Sequence, residues 1–409
     1  MDRSPNIARR RLLATGPSAL AIVGLTGASR AAAQALPAAP AAPASQAKPL
    51  PAYVAWKDAD SLIVHTPTTI ETKRTALGSS GITPTERLFI RNNLPAPDVS
   101  IVANRDAWQL AVEGVRQPRS LTVGELKTLG LETIPTVLQC SGNGRSYFPS
   151  KPAGTRWGVG AAGCVIWSGV PLRTVVDALG GPVAGMRFIT GTGGEKLPDG
   201  IDAKTVIVER SVPMSVLEDA LLAWELNGEP LPHAHGGPLR LVVPGYSGVN
   251  NIKYVKRVAF TRDETDAAIQ RTGYRMHPPG TKGDPSFPAV WAMGPKSWIN
   301  SPLSETGPTK AGWIQIHGVA MGGMQAPRRV EVSLDGGNTW RDASFIGANL
   351  GRYAWRPFVM QAQLKPGSYT LASRVTDSQG NVQPEVSPDN AGGYLNSGWR
   401  SHAVTVNAA

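Results

Sequence analysis

Thr136-Val137-Leu138-Gln139-Cys140-Ser141-Gly142-Asn143-Gly144-Arg145-Ser146-Tyr147-Phe148 is the stretch on which the fold of this chain turns. An apolar, β-prone run from Ile134 to Leu138 ends at Gln139, and Cys140 follows at once. Ser141-Gly142-Asn143-Gly144 is then a dense turn signal. A strand that hands a thiol to a Gly-rich loop puts sulfur at the end of a sheet. The loop glycines let backbone N–H groups approach an anion or a metal closely. Arg145, five residues past the cysteine, offers a cation beside the sulfur. The spacing alone fits equally well a buried structural cysteine before an ordinary turn, since free Cys is among the most buried residue types.

Upstream lies Leu88-Phe89-Ile90-Arg91-Asn92-Asn93-Leu94-Pro95, three apolar residues leading into an arginine and a polar turn closed by proline. Downstream, Asn227-Gly228-Glu229-Pro230-Leu231 precedes His233-Ala234-His235-Gly236-Gly237-Pro238-Leu239-Arg240 and the strand end Leu241 to Gly245. Two histidines two apart in a Pro/Gly loop are a poor metal set without a third ligand. Arg187 to Gly194, a strand running into glycines, is weak evidence for phosphate binding. Thr122 and Glu125 have the spacing of a capping box for a short helix. Further helices are expected near Leu172 to Leu179 and around Met214 to Glu225. Cys164, in apolar surroundings, reads as packing. Beyond Met293 the character changes to short strands at close spacing, with Asp335-Gly336-Gly337-Asn338 as a hairpin turn. That pattern indicates a β-sandwich of immunoglobulin-like type. The fold class is therefore α+β, a mixed α/β domain followed by a sandwich.

The 409 residues suffice for two or more domains. Gly 45 and Pro 35, about a fifth of the chain, favour strands and turns over long helices. Arg9-Arg10-Arg11-Leu12-Leu13, a moderately apolar run and Ala33-Gln34-Ala35 read as a twin-arginine export signal over residues 1–35 with its cleavage site. An Ala/Pro-rich flexible lead over 36–52 follows. The formal charge of +11 includes five arginines against Asp2 in that signal, which leaves +7 for the remainder. Without dense Lys/Arg runs, so mild a bias argues against nucleic acid and is compatible with an anionic substrate. Two cysteines make no disulfide framework, and no Cys-x-x-Cys-His motif for haem attachment is present.

The cysteine stretch resembles the corresponding loop of the sulfite oxidase family of molybdenum enzymes, Leu-Gln-Cys-(Ala/Ser)-Gly-Asn followed by basic residues. The match is complete from Leu138 to Asn143. Gly144 replaces one usual basic residue, and Arg145 keeps the other. The Arg91 segment resembles the family's Phe-(Val/Ile)-Arg-Asn-His, with Asn93 where the histidine usually stands. The His235 to Arg240 loop, Asn251-Ile252-Lys253 and the Ser-x-Asp-Gly-Gly-x-Thr-Trp hairpin match as well. The resemblance implies a molybdopterin-binding catalytic domain over 53–290 and a dimerisation-type sandwich over 291–409. It implies molybdenum held by Cys140 and a pyranopterin, which is contacted by Phe89, Ile90, Arg91, Asn92, Asn93, His235, Arg240, Asn251, Ile252 and Lys253. Arg91, Arg145 and Tyr274 are the implied catalytic residues. The family's further C-terminal arginine has no counterpart in Asn390 to Leu395, and Arg400 is the candidate substitute. The expected activity is periplasmic oxidation of sulfite, with a c-type cytochrome, as subunit or soluble partner, taking the electrons. The expected assembly is a homodimer or a heterodimer with that cytochrome. A sulfane dehydrogenase subunit, a molybdenum methionine-sulfoxide reductase and an exported binding protein on the same fold are the alternatives.

Overall fold

In the computed structural model, residues 48–409 are described. The expected export signal and residues 36–47 of the lead lie outside the described residues. The strand Glu132–Gln139 is exposed at its first residues and buried at its last four, so it carries the chain from the surface into the interior. It pairs antiparallel along its whole length with Ala162–Pro171, Gln139 opposite Ala162. That neighbour is buried at nearly every position, as a central strand covered on both faces must be. Leu221–Leu226 continues the sheet and pairs with Glu229–Pro230 and with Arg240–Val242. One sheet thus delivers Cys140 at the end of one strand and Arg240 at the start of another.

The helix expected around Met214 to Glu225 is not formed. A 3-10 turn, Met214–Val216, is followed by the strand Leu221–Leu226. A short run that is apolar but for Glu225 does not by itself distinguish helix from buried strand. Asn227 and Gly228, with φ of 54° and 83°, make the tight turn that closes the hairpin and decides for the strand. The other two helices are present. Val123–Thr128 is opened by Thr122, whose side chain accepts from the Glu125 backbone at 3.1 Å while Glu125 accepts from the Thr122 backbone at 2.7 Å. Such a cap contributes about 1 kcal/mol. Leu172–Ala178 buries Leu172, Val175 and Val176, the apolar stripe of a short amphipathic helix.

A second five-stranded sheet has the order Arg119–Thr122, Gln109–Glu113, Val255–Thr261, Phe188–Gly193, Glu209–Pro213, with one parallel pair between Gln109–Glu113 and Val255–Thr261. A three-stranded sheet of Leu62–Thr66, Thr69–Thr72 and Ile90–Arg91 presents Arg91 at its edge. From Lys296 to Ala408 seven antiparallel strands follow in one hydrogen-bonded order. The ladder folds over on itself: Ser297 on its first strand bonds Ser373 on its sixth at 3.0 Å, closing a sandwich around Ile316, Val330, Phe358 and Val375.

The loop between the last two of these strands reaches back to the cysteine turn. Leu395 N–H donates to the Ser141 carbonyl at 2.8 Å, Asn396 to Gly144 at 3.1 Å, and Arg145 Nε donates to the Gly392 carbonyl at 2.9 Å. Lys296 Nζ reaches the Asn143 carbonyl at 3.4 Å. Four of the five residues after Cys140 are therefore tied to the C-terminal sandwich.

Candidate active site

Cys140 leaves the sheet with its N–H bonded to the Ala161 carbonyl at 2.9 Å, and its own carbonyl accepts from Asn143 N–H at 2.9 Å. The turn is tight, and its thiol borders a cavity shared with Phe89, Arg91, His235, Arg240, Lys253 and Tyr274. Cys164, by contrast, is fully buried in apolar packing, and burial pushes its thiol up to about 12. Of two free thiols only Cys140 faces a cavity.

Two further cavities abut the first. The inner one is lined by Asn92, Glu195, Asn251 and Ile252 and shares Arg240 and Lys253. Arg240 is 3% exposed, with Nη1 donating to the His235 carbonyl at 2.9 Å and its guanidinium 5.1 Å from the Trp167 ring. Lys253 Nζ donates to Asn92 Oδ1 at 2.6 Å and to the Ala234 carbonyl at 2.7 Å. Neither cation has a salt bridge among the described residues, and the one carboxylate that acts on both is Glu195 of the same cavity. Burial pushes Arg240 down to about 10; burial and then the Arg240 charge hold Lys253 well below the ordinary lysine value. His235 is 1% exposed and kept neutral by burial and by Lys57, Lys253 and Arg240, and its Nε2 has no partner. Glu195 Oε2 is likewise buried and unpartnered, and burial raises its carboxyl to about 7. Asn251 spends its side chain on the Val243, Tyr246 and Ser247 backbone, and its carbonyl accepts from Arg240.

The outer cavity, about 450 Å³, opens over Cys140 and is lined by Arg91, Asn93, Arg145, Tyr274 and Tyr394 among others. Arg145 is buried and aimed: Nε bonds the Gly392 carbonyl and Nη1 the Thr155 carbonyl at 3.0 Å. Tyr274 sits at φ 48°, a left-handed conformation that a bulky residue adopts only when its surroundings enforce it. Its hydroxyl lies 3.4 Å from Asn93 Oδ1, and the buried Arg210 guanidinium stands 5.6 Å from its ring.

Two of the expected residues are placed elsewhere. Ile90 is fully buried with Val54, Leu62, Ile70 and Ala234, because strand alternation turns it away from the face that carries Phe89 and Arg91. Arg400 is exposed and paired with Glu385 at 2.5 Å, so it does not replace a substrate arginine. Three residues were missed: Glu195, Arg210 and Tyr394. Glu195 falls just after the glycine run of Phe188–Gly193, and an acid entering a Gly-rich loop was a usable signal. Arg210 and Tyr394 reach the site through contacts distant in sequence, which no local pattern encodes.

Comparison with known proteins bears on this arrangement. Residues 95–269 match the oxidoreductase molybdopterin binding domain, and residues 288–408 match the Mo-co oxidoreductase dimerisation domain. The chain is 28% identical to sulfite oxidase of Arabidopsis thaliana over 368 residues, 81% of this chain and 90% of that one. It is 32% identical to sulfite oxidase of Gallus gallus over 335 residues, 78% of this chain and 72% of that one. The chain belongs to the sulfite oxidase family of molybdenum enzymes. Among solved structures, the sulfane dehydrogenase SoxCD from Paracoccus pantotrophus matches with a TM-score of 0.70 at 27% identity, covering 85% of this chain and 88% of that one.

A molybdenum oxidoreductase of the sulfite oxidase family needs a seat for a molybdopterin, and the inner cavities fit one. Among the described residues no group of three His, Cys, Asp or Glu stands ready to hold a metal. A buried, unpaired cation is costly. Arg240 and Lys253 together call for an anion such as the cofactor's phosphate, for which arginine supplies a planar fork. The unpartnered acceptor atoms of Glu195 and His235 suit the N–H groups of a pterin. Cys140 supplies a soft sulfur donor.

Proposed function

We propose that this protein oxidises sulfite to sulfate at a molybdenum–pterin centre seated on Cys140. The observation that carries this reading is the convergence of Arg91 and Arg145 on the cavity above the Cys140 thiol. The pterin would be held by Arg240, Lys253, His235 and Asn251, with Phe89, Asn92 and Ile252 as walls. When bound, the group supplies oxygen-atom transfer and accepts the two electrons that sulfite loses. The reaction consumes one water and releases two protons and two electrons.

The chain's own part is to bind and orient. Arg145 has two of its guanidinium nitrogens committed to backbone carbonyls, so its remaining N–H groups point in a fixed direction and bind an oxyanion with little ordering cost. Arg91, half-buried and lining the same cavity, adds a second cation. Tyr274 offers a hydroxyl donor at the same place, its ring braced by Arg210. Loss of one charge-assisted hydrogen bond costs roughly 1.5–3 kcal/mol. Arg145→Gln is therefore expected to raise KM for sulfite by about 10- to 100-fold with a smaller change in thermal stability. Unchanged sulfite kinetics and unchanged sulfate inhibition would show that Arg145 serves folding alone.

The electrons must pass to an acceptor, and the sequence carries no haem attachment motif. We assign that role to a c-type cytochrome in the periplasm, reached by way of the twin-arginine signal. The match to a dimerisation domain supports a dimer. A second reading, oxidation of a bound sulfane, is favoured by the size of the outer cavity and by the likeness to the sulfane dehydrogenase. The deciding experiment supplies sulfite to matured protein with ferricyanide or cytochrome c and measures molybdenum by elemental analysis. Sulfite-dependent reduction with about one molybdenum per chain is expected. Absence of molybdenum would overturn the reading, and metal-loaded protein inert to sulfite would transfer it to the sulfane substrate.

A further inference from the structure

Tyr394 stands in the outer cavity with no role so far. Its ring stacks on Tyr274, centroids 4.9 Å apart and planes 17° from parallel, and the Arg145 guanidinium lies 5.5 Å from its face. The segment that carries it is built to hold that pose. Its N–H donates to Asn390 Oδ1 at 2.8 Å and its carbonyl accepts from Asn390 Nδ2 at 3.0 Å, so one amide fixes the backbone on both sides. The ring folds over Gly392: a Cβ at that position would fall 2.0 Å from a ring carbon, so no other residue fits beneath it. The Gly392 carbonyl is also the one that anchors Arg145 Nε.

Packing explains the ring but leaves the hydroxyl proton unspent. The two hydrogen bonds of residue 394 with Asn390 are made by its backbone, and the Tyr274 backbone stands against the phenol oxygen as donor, so the O–H is left to donate. The phenol is a donor at any working pH, because burial, and then the neighbouring Tyr274, pushes it up to about 12. It borders the same cavity as Cys140, Arg91 and Arg145. A pyramidal oxyanion such as sulfite has three oxygens to satisfy, and a neutral O–H beside two guanidinium groups adds a donor without adding charge.

We propose that Tyr394 is a substrate-contacting residue of the C-terminal sandwich, donating its O–H to the oxyanion that Arg91 and Arg145 hold; this rests on the sulfite reading above. The test uses full-length, molybdenum-loaded protein and compares wild type with Tyr394→Phe, which keeps the stacked ring. KM for sulfite and the dissociation constant of sulfate, measured as a dead-end ligand by calorimetry, should both rise by roughly tenfold to a hundredfold, the loss expected for a hydrogen bond to a charged group. The kcat and melting temperature should change little. Tyr394→Leu, which removes ring and hydroxyl together, should in addition lower the melting temperature. If Tyr394→Phe has wild-type KM and wild-type sulfate affinity while only the Leu variant is impaired, Tyr394 is packing and the proposal is wrong. If wild type neither oxidises nor binds sulfite, the sulfite reading itself falls and takes this inference with it.

Discussion

Cys140→Ser should keep the fold and the pterin and lose sulfite oxidation. The side chain is only 8% exposed and borders a cavity on one side, so an oxygen in place of sulfur leaves no void and breaks none of the backbone bonds that shape the turn. The cofactor would still be gripped by Arg240, Lys253 and His235, none of which depends on the thiol. On the proposed reading, what changes is the soft sulfur donor that the chain would give the metal. Loss of an outer-shell partner costs about 10- to 100-fold in affinity or activity. Loss of the ligand should exceed that. Pterin fluorescence after denaturation and sulfite-driven ferricyanide reduction, measured on the same preparation, separate the two effects. Cys164→Ala is the control: its thiol lies among Leu77, Val137, Trp298 and Trp355, and truncation there should lower stability while leaving turnover per molybdenum intact. Near-normal turnover by Cys140→Ser would remove Cys140 from the metal, and loss of pterin with it would show that the thiol also helps to hold the cofactor.

The contrast between these two cysteines shows how far the sequence could be read. The strand end and turn at Cys140 were legible because a β-prone run, a cysteine, a glycine turn and an arginine are consecutive, and the capped helix at Thr122 was legible for the same local reason. The site roles of Cys140, Arg91 and the His235 to Arg240 loop came from the resemblance to the sulfite oxidase family, since each stretch alone reads equally well as ordinary packing or loop. The strand Leu221–Leu226 was not legible, because five apolar residues interrupted only by Glu225 give no clear period to count. Its identity comes from the neighbours it pairs with. The same limit applied to the outer cavity. Arg145 and Gly392 are 247 residues apart, and Tyr274 and Tyr394 are 120 apart, yet each pair is in contact. Arg400 was the wrong choice because an arginine near the right place in sequence found Glu385 at the surface first.

The tie between sandwich and cysteine turn makes Lys296→Met the change with the largest expected effect on stability. Lys296 is 1% exposed, and the one hydrogen bond of its ammonium among the described residues is the 3.4 Å contact to the Asn143 carbonyl. Its ammonium stands 5.6 Å from the Trp298 ring, with Arg74 and His402 as charged or titratable neighbours. Burial, and then the Arg74 charge, pushes its pKa down to about 7. In the unfolded chain the same lysine titrates at about 10.4. Between those values the unfolded chain binds a proton that the folded protein does not, so the wild type loses stability as pH falls from about 10.4 to about 7 and loses no more below it. At about 1.4 kcal/mol per pKa unit the loss amounts to several kcal/mol. Methionine has no such proton and fills a similar volume. The difference in stability, variant minus wild type, should therefore grow in favour of the variant as pH falls through that window. Lys57, also held near 7 by burial, is present in both proteins and cancels. Urea midpoints at pH 10 and pH 7 measure the difference. The same value at both would mean that water or the free acceptors of Asn143, Asn396 and His402 keep the Lys296 ammonium charged in the folded protein.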